Sequence, residues 1–267
     1  MSYAVFTDTS SNLPTALLDE KNVHVVPFSY YIDGEEQSCT DTAKFNGDEY
    51  YEKLRHGLHV TTSQVPPQRY MEHFEPVLAA GQDILMVSMS SGISGSCDSA
   101  RIAAEALKES YPLRKIEIID TLSASLGEGI VVLRAIELCS EGVQLEAAAG
   151  ELRVLSRRIC QIFTVDDLMH LRRGGRLSNI SAVVGTVLQI KPLLLGNEEG
   201  KIVAIAKVRG RKRSIEALAA KFDELAVAPE TQTACIAQAG CPDDAEYLAS
   251  LLRKNHPPKD ILTVEYR

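Results

Sequence analysis

Ile84-Leu85-Met86-Val87 is the stretch of sequence that decides the fold class. It is apolar without alternation and lies inside a predicted strand over 83–89, which suits a parallel sheet covered on both faces. Strand-like runs and helix-length segments alternate on both sides of it, and this βαβ rhythm predicts a doubly wound α/β architecture. The other strands predicted in this part are 3–6, 23–31 and 115–119, and the helices are 96–110 and 126–139.

The pattern changes after Gly150, where a second α/β unit follows. A turn at Asn197-Glu198-Glu199-Gly200 between two strand-like runs predicts a β-hairpin in this unit. Because 267 residues exceed the usual length of one domain, we predict two α/β domains, over 1–155 and 156–267. The first has a mainly parallel sheet covered by helices, and the second is smaller and has a mixed sheet. The elements predicted in the second domain are strands at 158–164, 193–195, 201–209, 233–238 and 261–266, and helices at 165–172, 180–189, 214–225 and 243–254.

The composition is that of an ordinary globular protein, with 45% hydrophobic and 24% charged residues. The amino terminus shows no basic leader, and the longest apolar stretches fall short of the roughly 20 residues that a membrane span needs. We therefore expect a cytoplasmic protein without an integral membrane segment. The six cysteines include no Cys-x-x-Cys pair, which argues against a zinc site and a redox motif, so we expect reduced thiols and no metal.

A net charge of −8 argues against a general nucleic-acid binder, because contacts to phosphates need a positive surface. Two basic clusters are local exceptions to this charge. One holds five cations between Lys207 and Arg213, and the other holds Arg172, Arg173 and Arg176. Nucleic-acid binding through the first cluster stays open as an alternative interaction.

Hydroxyl-bearing residues concentrate in four segments that directly follow predicted strands. In open parallel sheets the ligand crevice lies just outside the carboxyl ends of the strands, so we expect these segments to converge on one site. The segments are 7–11, 61–64, 90–96 and 121–125.

The segment Ser90-Ser91-Gly92-Ile93-Ser94-Gly95-Ser96 points most directly to an anion. Gly92 and Gly95 permit close backbone approach, and the following helix offers N–H groups and the positive end of its dipole. The segment has no Walker lysine and its spacing is not G-x-G-x-x-G, so a nucleotide phosphate is not specifically indicated. A carboxylate fits hydroxyl and amide donors equally well. Alternatively, Ser94 and Ser96 simply cap the helix.

The same residues allow a hydrolase interpretation. Gly92-Ile93-Ser94-Gly95 lies between a strand and a helix, as a G-x-S-x-G nucleophile elbow does, but Ser96 stands where the second glycine belongs. A triad would also require His170 or His256 with an acid such as Asp167, and nothing in the spacing supports that arrangement. A lipid or ester hydrolase with this serine as its nucleophile is therefore the alternative function.

A run of apolar residues after position 180 could line a slot for an acyl chain or form ordinary core, and periodicity does not separate the two. The residues are Val183, Val184, Val187, Leu188, Ile190, Leu193 and Leu194. The run follows a turn over 171–178 in which a glycine pair ends one predicted helix and Ser178 caps the next. Three arginines in this turn are available for an anionic partner, unless the turn is simply solvated.

Six motifs in this order and spacing resemble the DegV family of bacterial proteins, and the resemblance covers nearly the whole chain. Taken together, six motifs in the correct order are a strong signal. They are Thr7-Asp8-Thr9-Ser10, Thr62-Ser63-Gln64, Ser90-Ser91-Gly92-Ile93-Ser94-Gly95-Ser96, Gly174-Gly175-Arg176-Leu177-Ser178, Ile190-Lys191-Pro192 and Val208-Arg209-Gly210-Arg211-Lys212.

The resemblance implies a two-domain α/β protein that binds one long-chain fatty acid in a tunnel between its domains, as in the binding subunit of bacterial fatty acid kinase. The partner kinase supplies ATP, and the carrier presents the acyl carboxylate, which becomes an acyl phosphate. The chain is then a carrier and not an enzyme, with a fatty acid as its ligand and no cofactor. Its first domain holds the carboxylate, and its second covers the acyl chain and docks the kinase. The expected carboxylate ligands are Thr62, Ser63, Ser94 and Gly95, the expected acyl-chain lining is Val183, Val187, Leu188 and Ile190, and the expected docking residues are Arg172, Arg173, Arg176 and Arg209.

The sequence departs from the family at its carboxyl end. The family usually continues past the last strand into a tail with a histidine followed by Gly-Pro-Gly, and this sequence stops at Arg267 without it. We therefore expect one carboxylate ligand of the family to be missing, with fatty-acid binding retained and phosphorylation by the kinase impaired.

Overall fold

The computed structural model describes residues 3–38, 44–166, 168, 171, 174–176 and 190–266. These residues form a mixed α/β protein with one parallel four-stranded sheet and three smaller sheets, which confirms the predicted fold class. The chain divides into two compact units, Met1–Ile159 and Cys160–Tyr266. None of the described helices is long and apolar enough to cross a membrane. The roles predicted for domains 1–155 and 156–267 stay predictions.

The first unit is built on a sheet of parallel strands covered by helices. In chain order its elements are β1 (Tyr3–Asp8), α1 (Thr15–Glu20), β2 (His24–Val26), β3 (Tyr30–Ile32), β4 (Glu35–Gln37), α2 (Gly47–Arg55), β5 (Val60–Thr62), α3 (Pro67–Ala79), β6 (Asp83–Ser88), α4 (Ser96–Leu107), β7 (Ile116–Asp120), α5 (Leu126–Ser140) and α6 (Leu145–Ser156). The strand order in the parallel sheet is β2-β1-β6-β7. Consequently, the carboxyl ends of these four strands lie along one edge of the sheet.

Strand β6 is buried on both faces, which is why its sequence is apolar without alternation. Ile84 and Met86 belong to a core cluster with Phe74 of α3. Leu85 and Val87 point to the opposite face, are also fully buried, and lie on the strand that α5 and α6 contact. Each such side chain contributes about 1.5–3 kcal/mol through burial, so this strand is the centre of the first unit.

The predicted strand 23–31 is wrong in its extent, because two strands occupy this stretch. β2 pairs with β1 in the parallel sheet, whereas β3 lies in a separate antiparallel sheet with the order β4-β3-β5. Pro27 stands at the break, and a proline has no N–H to continue a ladder. The next N–H, of Phe28, donates to Thr9 Oγ1 (3.0 Å), so the backbone leaves the parallel sheet here.

The second unit contains both antiparallel and parallel strand pairs. Its described elements are β8 (Ile162–Thr164), β9 (Ile190–Gly196), β10 (Ile202–Arg209), α7 (Arg211–Leu225), β11 (Thr233–Gln238), α8 (Pro242–Asn255) and β12 (Asp260–Glu265). The order β10-β9-β8 is antiparallel, β11 pairs with β12 in parallel, and the predicted β9–β10 hairpin is confirmed. Among the described strands β10 lies at a sheet edge, and a register shift between Ala204 and Ala206 marks a bulge in it. The helices predicted at 165–172 and 180–189 lie largely outside the described residues.

Helix α7 begins three residues before the predicted start, at Arg211. Gly210 precedes it with φ 93°, a backbone conformation that favours glycine. The first turn therefore carries cations at the positive end of the helix dipole, where they are unfavourable. Arg211 compensates through a 2.6 Å ion pair with Asp244 of α8.

Candidate functional site

Three of the hydroxyl-rich segments lie together at the carboxyl edge of the parallel sheet, after β1, β6 and β7. Several hydrogen bonds join the ends of β6 and β7 and the loops that follow them: Ser90 N–H donates to Ser123 O (2.8 Å), and Thr121 Oγ1 donates to Ser88 O (2.9 Å). The loop after β6 also reaches β1, because Met89 N–H donates to Asp8 Oδ2 (3.4 Å). The edge is thus one connected polar surface.

The fourth segment, 61–64, reaches this edge from the small antiparallel sheet. Thr61 and Thr62 end strand β5 and do not follow a strand, which corrects the prediction for them. The link to the edge comes just after them, where Val65 N–H donates to Ser96 Oγ (3.0 Å). Thr62 is exposed and pairs with Tyr30 in the sheet.

The turn at Ser94 is an enclosed part of this edge. The Ser94 side chain is buried, with 9% exposure, and its Oγ lies 2.9 Å from Ser96 Oγ and accepts the Ser96 N–H at 3.3 Å. Helix α4 starts directly after Gly95, which occupies the N-cap position and has no capping side chain. The alternative in which the serine hydroxyls cap this helix therefore stays open, because Ser94 Oγ accepts the N–H of the first helical residue, Ser96.

Gly95 brings the two predicted carboxylate segments into contact. A Cβ at this position would lie 1.9 Å from Gln64 Oε1, so the Gln64 side chain occupies the space that a larger residue would need. Gln64 Nε2 in turn donates to Ser99 Oγ of α4 (3.4 Å). Ser63, between Thr62 and Gln64, donates its N–H to Ser29 O (3.3 Å). Thr62, Ser63, Ser94 and Gly95 therefore come from two segments that the structure packs together.

Two fully buried carboxyl groups next to this edge escape sequence reasoning. Asp8 ends β1, and Glu128 lies in the first turn of α5. Helix α5 approaches closely because its Gly129 has no side chain: a Cβ there would lie 2.8 Å from Ser11 O. Glu128 Oε1 accepts from Thr7 Oγ1 (3.1 Å), and Ser10 Oγ lies 2.5 Å from Glu128 Oε2. A glutamate between two glycines in an otherwise apolar helix start is the signal that could have found it.

Electrostatics distinguish these two groups from ordinary surface acids. Burial raises the pKa of Asp8 to about 6, although its hydrogen bonds from Ser10 and Met89 oppose the shift. Burial, and then the neighbouring Asp8 charge, raise the pKa of Glu128 well above its usual range.

A second polar group that sequence reasoning missed ties the small sheet to α3. Arg69 Nη1 donates to Ser29 Oγ (3.2 Å), and Arg69 Nη2 lies 3.6 Å from Glu36 Oε1 of β4. Ser29 Oγ also donates to Glu36. Ser29 is thereby held on both sides, through its side chain by Arg69 and Glu36 and through its carbonyl by Ser63.

The predicted acyl-chain and docking residues are only partly described. Ile190 is half-buried, begins β9 and pairs in register with Arg209, which is exposed at the end of β10. Arg176 is exposed in the turn 174–176. The other predicted residues of these two sets, Val183, Val187, Leu188, Arg172 and Arg173, lie outside the described residues.

Of the residues named for a hydrolase triad, the structure describes Ser94 in the first unit and His256 in the second. The close contacts of the Ser94 hydroxyl are with Ser96. His256 Nδ1 lies 3.3 Å from Asp223 in the second unit. Asp167 and His170 lie outside the described residues. The turn at Ser94 therefore offers hydrogen-bond donors for an anion, and the hydrolase alternative is not tested by the described residues.

Comparison with known proteins shows which family this chain resembles. Residues 2–266 match the family described as "Uncharacterised protein, DegV family". A DegV domain-containing protein of Clostridium perfringens is 36% identical over 260 residues, which cover 97% of this chain and 89% of that protein.

Two solved structures with similar folds are of proteins described by their fatty acid binding. A DegV family protein of Thermus thermophilus, described by its fatty acid binding, has a TM-score of 0.86 and 32% identity, with 100% of this chain and 93% of that chain covered. A fatty acid binding DegV family protein of Streptococcus agalactiae has a TM-score of 0.87 and 31% identity, with 100% of this chain and 92% of that chain covered.

Proposed function

The chain belongs to the DegV family, and on that premise we propose that it binds a long-chain fatty acid and holds the carboxylate between the turn at Ser94 and the segment at Thr62. Fatty acid binding is the property described for the relatives from Thermus thermophilus and Streptococcus agalactiae. The donors of the site are the hydroxyls of Thr62, Ser63 and Ser94 together with the Gly95 amide.

The observation that carries the proposal is the hydrogen-bond arrangement at Ser94. Ser96 Oγ accepts the Val65 N–H (3.0 Å) and lies 2.9 Å from Ser94 Oγ. A hydroxyl has one proton and two lone pairs, so Ser96 can donate to Ser94 while it accepts from Val65. The Ser94 hydroxyl then keeps its own proton for a ligand. A carboxylate oxygen only accepts, so it suits this donor.

The acyl chain supplies most of the binding free energy in this proposal. Each buried methylene contributes about 0.8 kcal/mol, so chains of about 14–18 carbons bind far more tightly than short acids. We assign the lining of this chain to Val183, Val187, Leu188 and Ile190.

The chain is a carrier in this proposal and leaves the chemistry to another protein. It presents the carboxylate to an ATP-dependent fatty acid kinase, which transfers a phosphoryl group to give an acyl phosphate. The absence of a Walker lysine from the 90–96 segment of the sequence supports this division of labour. The docking surface consists of Arg172, Arg173, Arg176 and Arg209, whose positive charge steers the encounter with an acidic patch on the kinase.

Native mass spectrometry of the protein purified from a bacterial host tests the binding proposal. We expect about one equivalent of an acyl chain of about 14–18 carbons. After delipidation, Ser94→Ala should weaken the affinity for a fluorescent fatty acid at least about tenfold, because a hydrogen bond to a charged group contributes about 1.5–3 kcal/mol. Ser140→Ala is the matched control, since it removes an exposed hydroxyl that donates to Glu137 O within α5. Lipid-free preparations that take up neither palmitate nor oleate would contradict the proposal.

A further inference from the structure

Ser10 lies between two buried carboxyl groups and touches both. Its Oγ is 2.5 Å from Glu128 Oε2 and in close hydrogen-bonding contact with Asp8 Oδ1. A hydroxyl has one proton to donate, and an ionised carboxylate can only accept. Both contacts are therefore hydrogen bonds only if one of the two carboxyl groups carries a proton.

The remaining contacts show which group carries it. Asp8 uses both oxygens as acceptors, since Oδ1 accepts the Ser10 N–H (2.9 Å) and Oδ2 accepts the Met89 N–H (3.4 Å). Glu128 Oε1 also accepts, from Thr7 Oγ1 (3.1 Å). Both Asp8 oxygens accept backbone N–H groups, whereas the Glu128 oxygens contact only hydroxyls, which can accept as well as donate, so we place the proton on Glu128 Oε2. It donates to Ser10 Oγ, and Ser10 donates to Asp8.

The surroundings agree with a single negative charge on the pair. Both carboxyl groups are fully buried, and in the described part of the chain no cation contacts either of them. Tyr70 of α3 is another titratable group nearby, and its pKa is raised, chiefly by burial and then by the charge of Asp8. Its phenol therefore stays neutral. Two adjacent buried charges without a cation would be strongly unfavourable.

We propose that Glu128 is a protonated positioning residue, whose carboxyl group acts through Ser10 and Asp8 to hold the loop that carries Ser94. This inference rests on the proposed function, because the loop is the one to which we assign the carboxylate.

The proton has two consequences for the site. First, it completes the chain of hydrogen bonds from α5 through Ser10 and Asp8 to Met89, so the amino end of the loop is fixed. Second, it halves the negative charge next to a site that must accept an anion. An ionised Glu128 would both break the chain and repel the ligand.

Two substitutions distinguish the effect of the proton on Glu128 from the effect of having a side chain of this size at that position. Glu128→Gln keeps both hydrogen bonds of the side chain, because its amide N–H can donate to Ser10 while its amide oxygen accepts from Thr7. Glu128→Leu keeps the volume and removes both bonds. Glu109→Gln, at an exposed position after α4, is the matched control for loss of a carboxyl group.

Two measurements on the full chain decide the inference. Infrared difference spectroscopy of the parent minus Glu128→Gln, at about pH 7.5 and without ligand, should show the carbonyl band of a protonated carboxylic acid. Fluorescent fatty acid titration should give Glu128→Gln an affinity within about threefold of the parent, and Glu128→Leu an affinity lower by about tenfold. The control should match the parent in both.

A carboxylate band for Glu128 at this pH overturns the inference, as does Glu128→Gln binding as weakly as Glu128→Leu. If neither the parent nor the control binds any fatty acid, the proposed function fails instead. The infrared band still decides the protonation of Glu128 in that case, so the two failures are distinguishable. If Glu128→Leu does not fold, the band and the affinity of Glu128→Gln are sufficient.

Discussion

Ser96 supports the candidate site, although it is not among the proposed carboxylate ligands. It accepts from the Val65 backbone and lies against Ser94, so it holds two segments of the candidate site at once. Its role is structural, whereas Ser94 is one of the residues to which we assign the carboxylate.

Ser96→Ala should therefore affect both stability and binding. Loss of the acceptor leaves the Val65 N–H unsatisfied in a buried position, which costs about 1–3 kcal/mol in the free energy of unfolding. Fatty-acid affinity should fall as well, because the segment at Thr62 is no longer held against the loop. Ser94→Ala should lower affinity with a smaller loss of stability. Urea unfolding and a fatty acid titration of both variants check this, and equal stability of Ser96→Ala and the parent would contradict it.

The buried pair of Asp8 and Glu128 predicts how the free energy of unfolding depends on pH. The folded pKa of Glu128 is raised above its ordinary value of 4.5, so the native state keeps a proton that the unfolded state has lost. The stabilisation is full below about pH 4.5 and declines as the pH rises from there toward the folded pKa, by about 1.4 kcal/mol per pH unit. Glu128→Gln removes this term. Urea unfolding between about pH 4.5 and 7 should show a steeper decline for the parent than for this variant, and parallel curves would argue against a protonated Glu128.

At the scale of elements, the small sheet of β3, β4 and β5 depends on a few polar contacts. Ser29 directly precedes β3 and accepts a hydrogen bond from Arg69 of α3, and Arg69 also lies 3.6 Å from Glu36 of β4. Both charged side chains are partly exposed, so this contact contributes little to global stability. Its importance is local, because it holds the sheet whose last strand carries Thr62.

Arg69→Gln should loosen the small sheet without unfolding the protein. We expect a change of less than about 1 kcal/mol in the free energy of unfolding, together with faster amide hydrogen exchange in β3, β4 and β5. Arg153→Gln is the control, because it removes an exposed ion pair with Glu117 outside this sheet. Unchanged exchange in the small sheet would show that Arg69 does not hold it.

Sequence patterns predicted strand β6 and helices α4 and α5, but they did not predict helices α3 and α6 or the short strands β4 and β5. The run in β6 and the apolar face of α4 extend over enough residues for periodicity to show. Strands of three residues, such as His24–Val26 and Glu35–Gln37, are too short for any period, and Pro27 was not recognised as a break. Of the site, three hydroxyl segments are visible in the sequence because they lie at the ends of parallel strands, whereas Thr61 and Thr62 belong to β5 itself. Glu128 was missed because a glutamate in a helix is expected in solvent, although the glycines on either side of it are a signal of close packing.

At the scale of the whole molecule, we expect fatty-acid binding and transfer to a kinase to be separable. The proposed carboxylate donors lie in the first unit, and Arg209 lies in the second. A change at Arg209 is therefore expected to leave the affinity for fatty acid intact.

Arg209→Glu should slow acyl phosphate formation by a fatty acid kinase at saturating lipid. Charge reversal removes an attraction and adds a repulsion, so we expect a fall of about tenfold at low salt and less at high salt. Lys201→Glu is the matched control, because it lies just before β10, at the opposite end of the same hairpin. Equal rates for Arg209→Glu and the parent would show that Arg209 is not part of the docking surface.

The edge position of β10 has a consequence for the behaviour of the protein in concentrated solution. An edge strand offers unpaired backbone groups to any other strand, and long flat apolar edges promote aggregation. Lys201, just before β10, and Lys207 and Arg209 within it are exposed, and a bulge after Ala204 interrupts its regular pairing. Charges and bulges are the devices by which natural sheets protect such edges. Cations that we assign to partner recognition thus lie where they also keep copies of the chain from joining edge to edge, so selection for recognition and selection for colloidal stability favour the same residues.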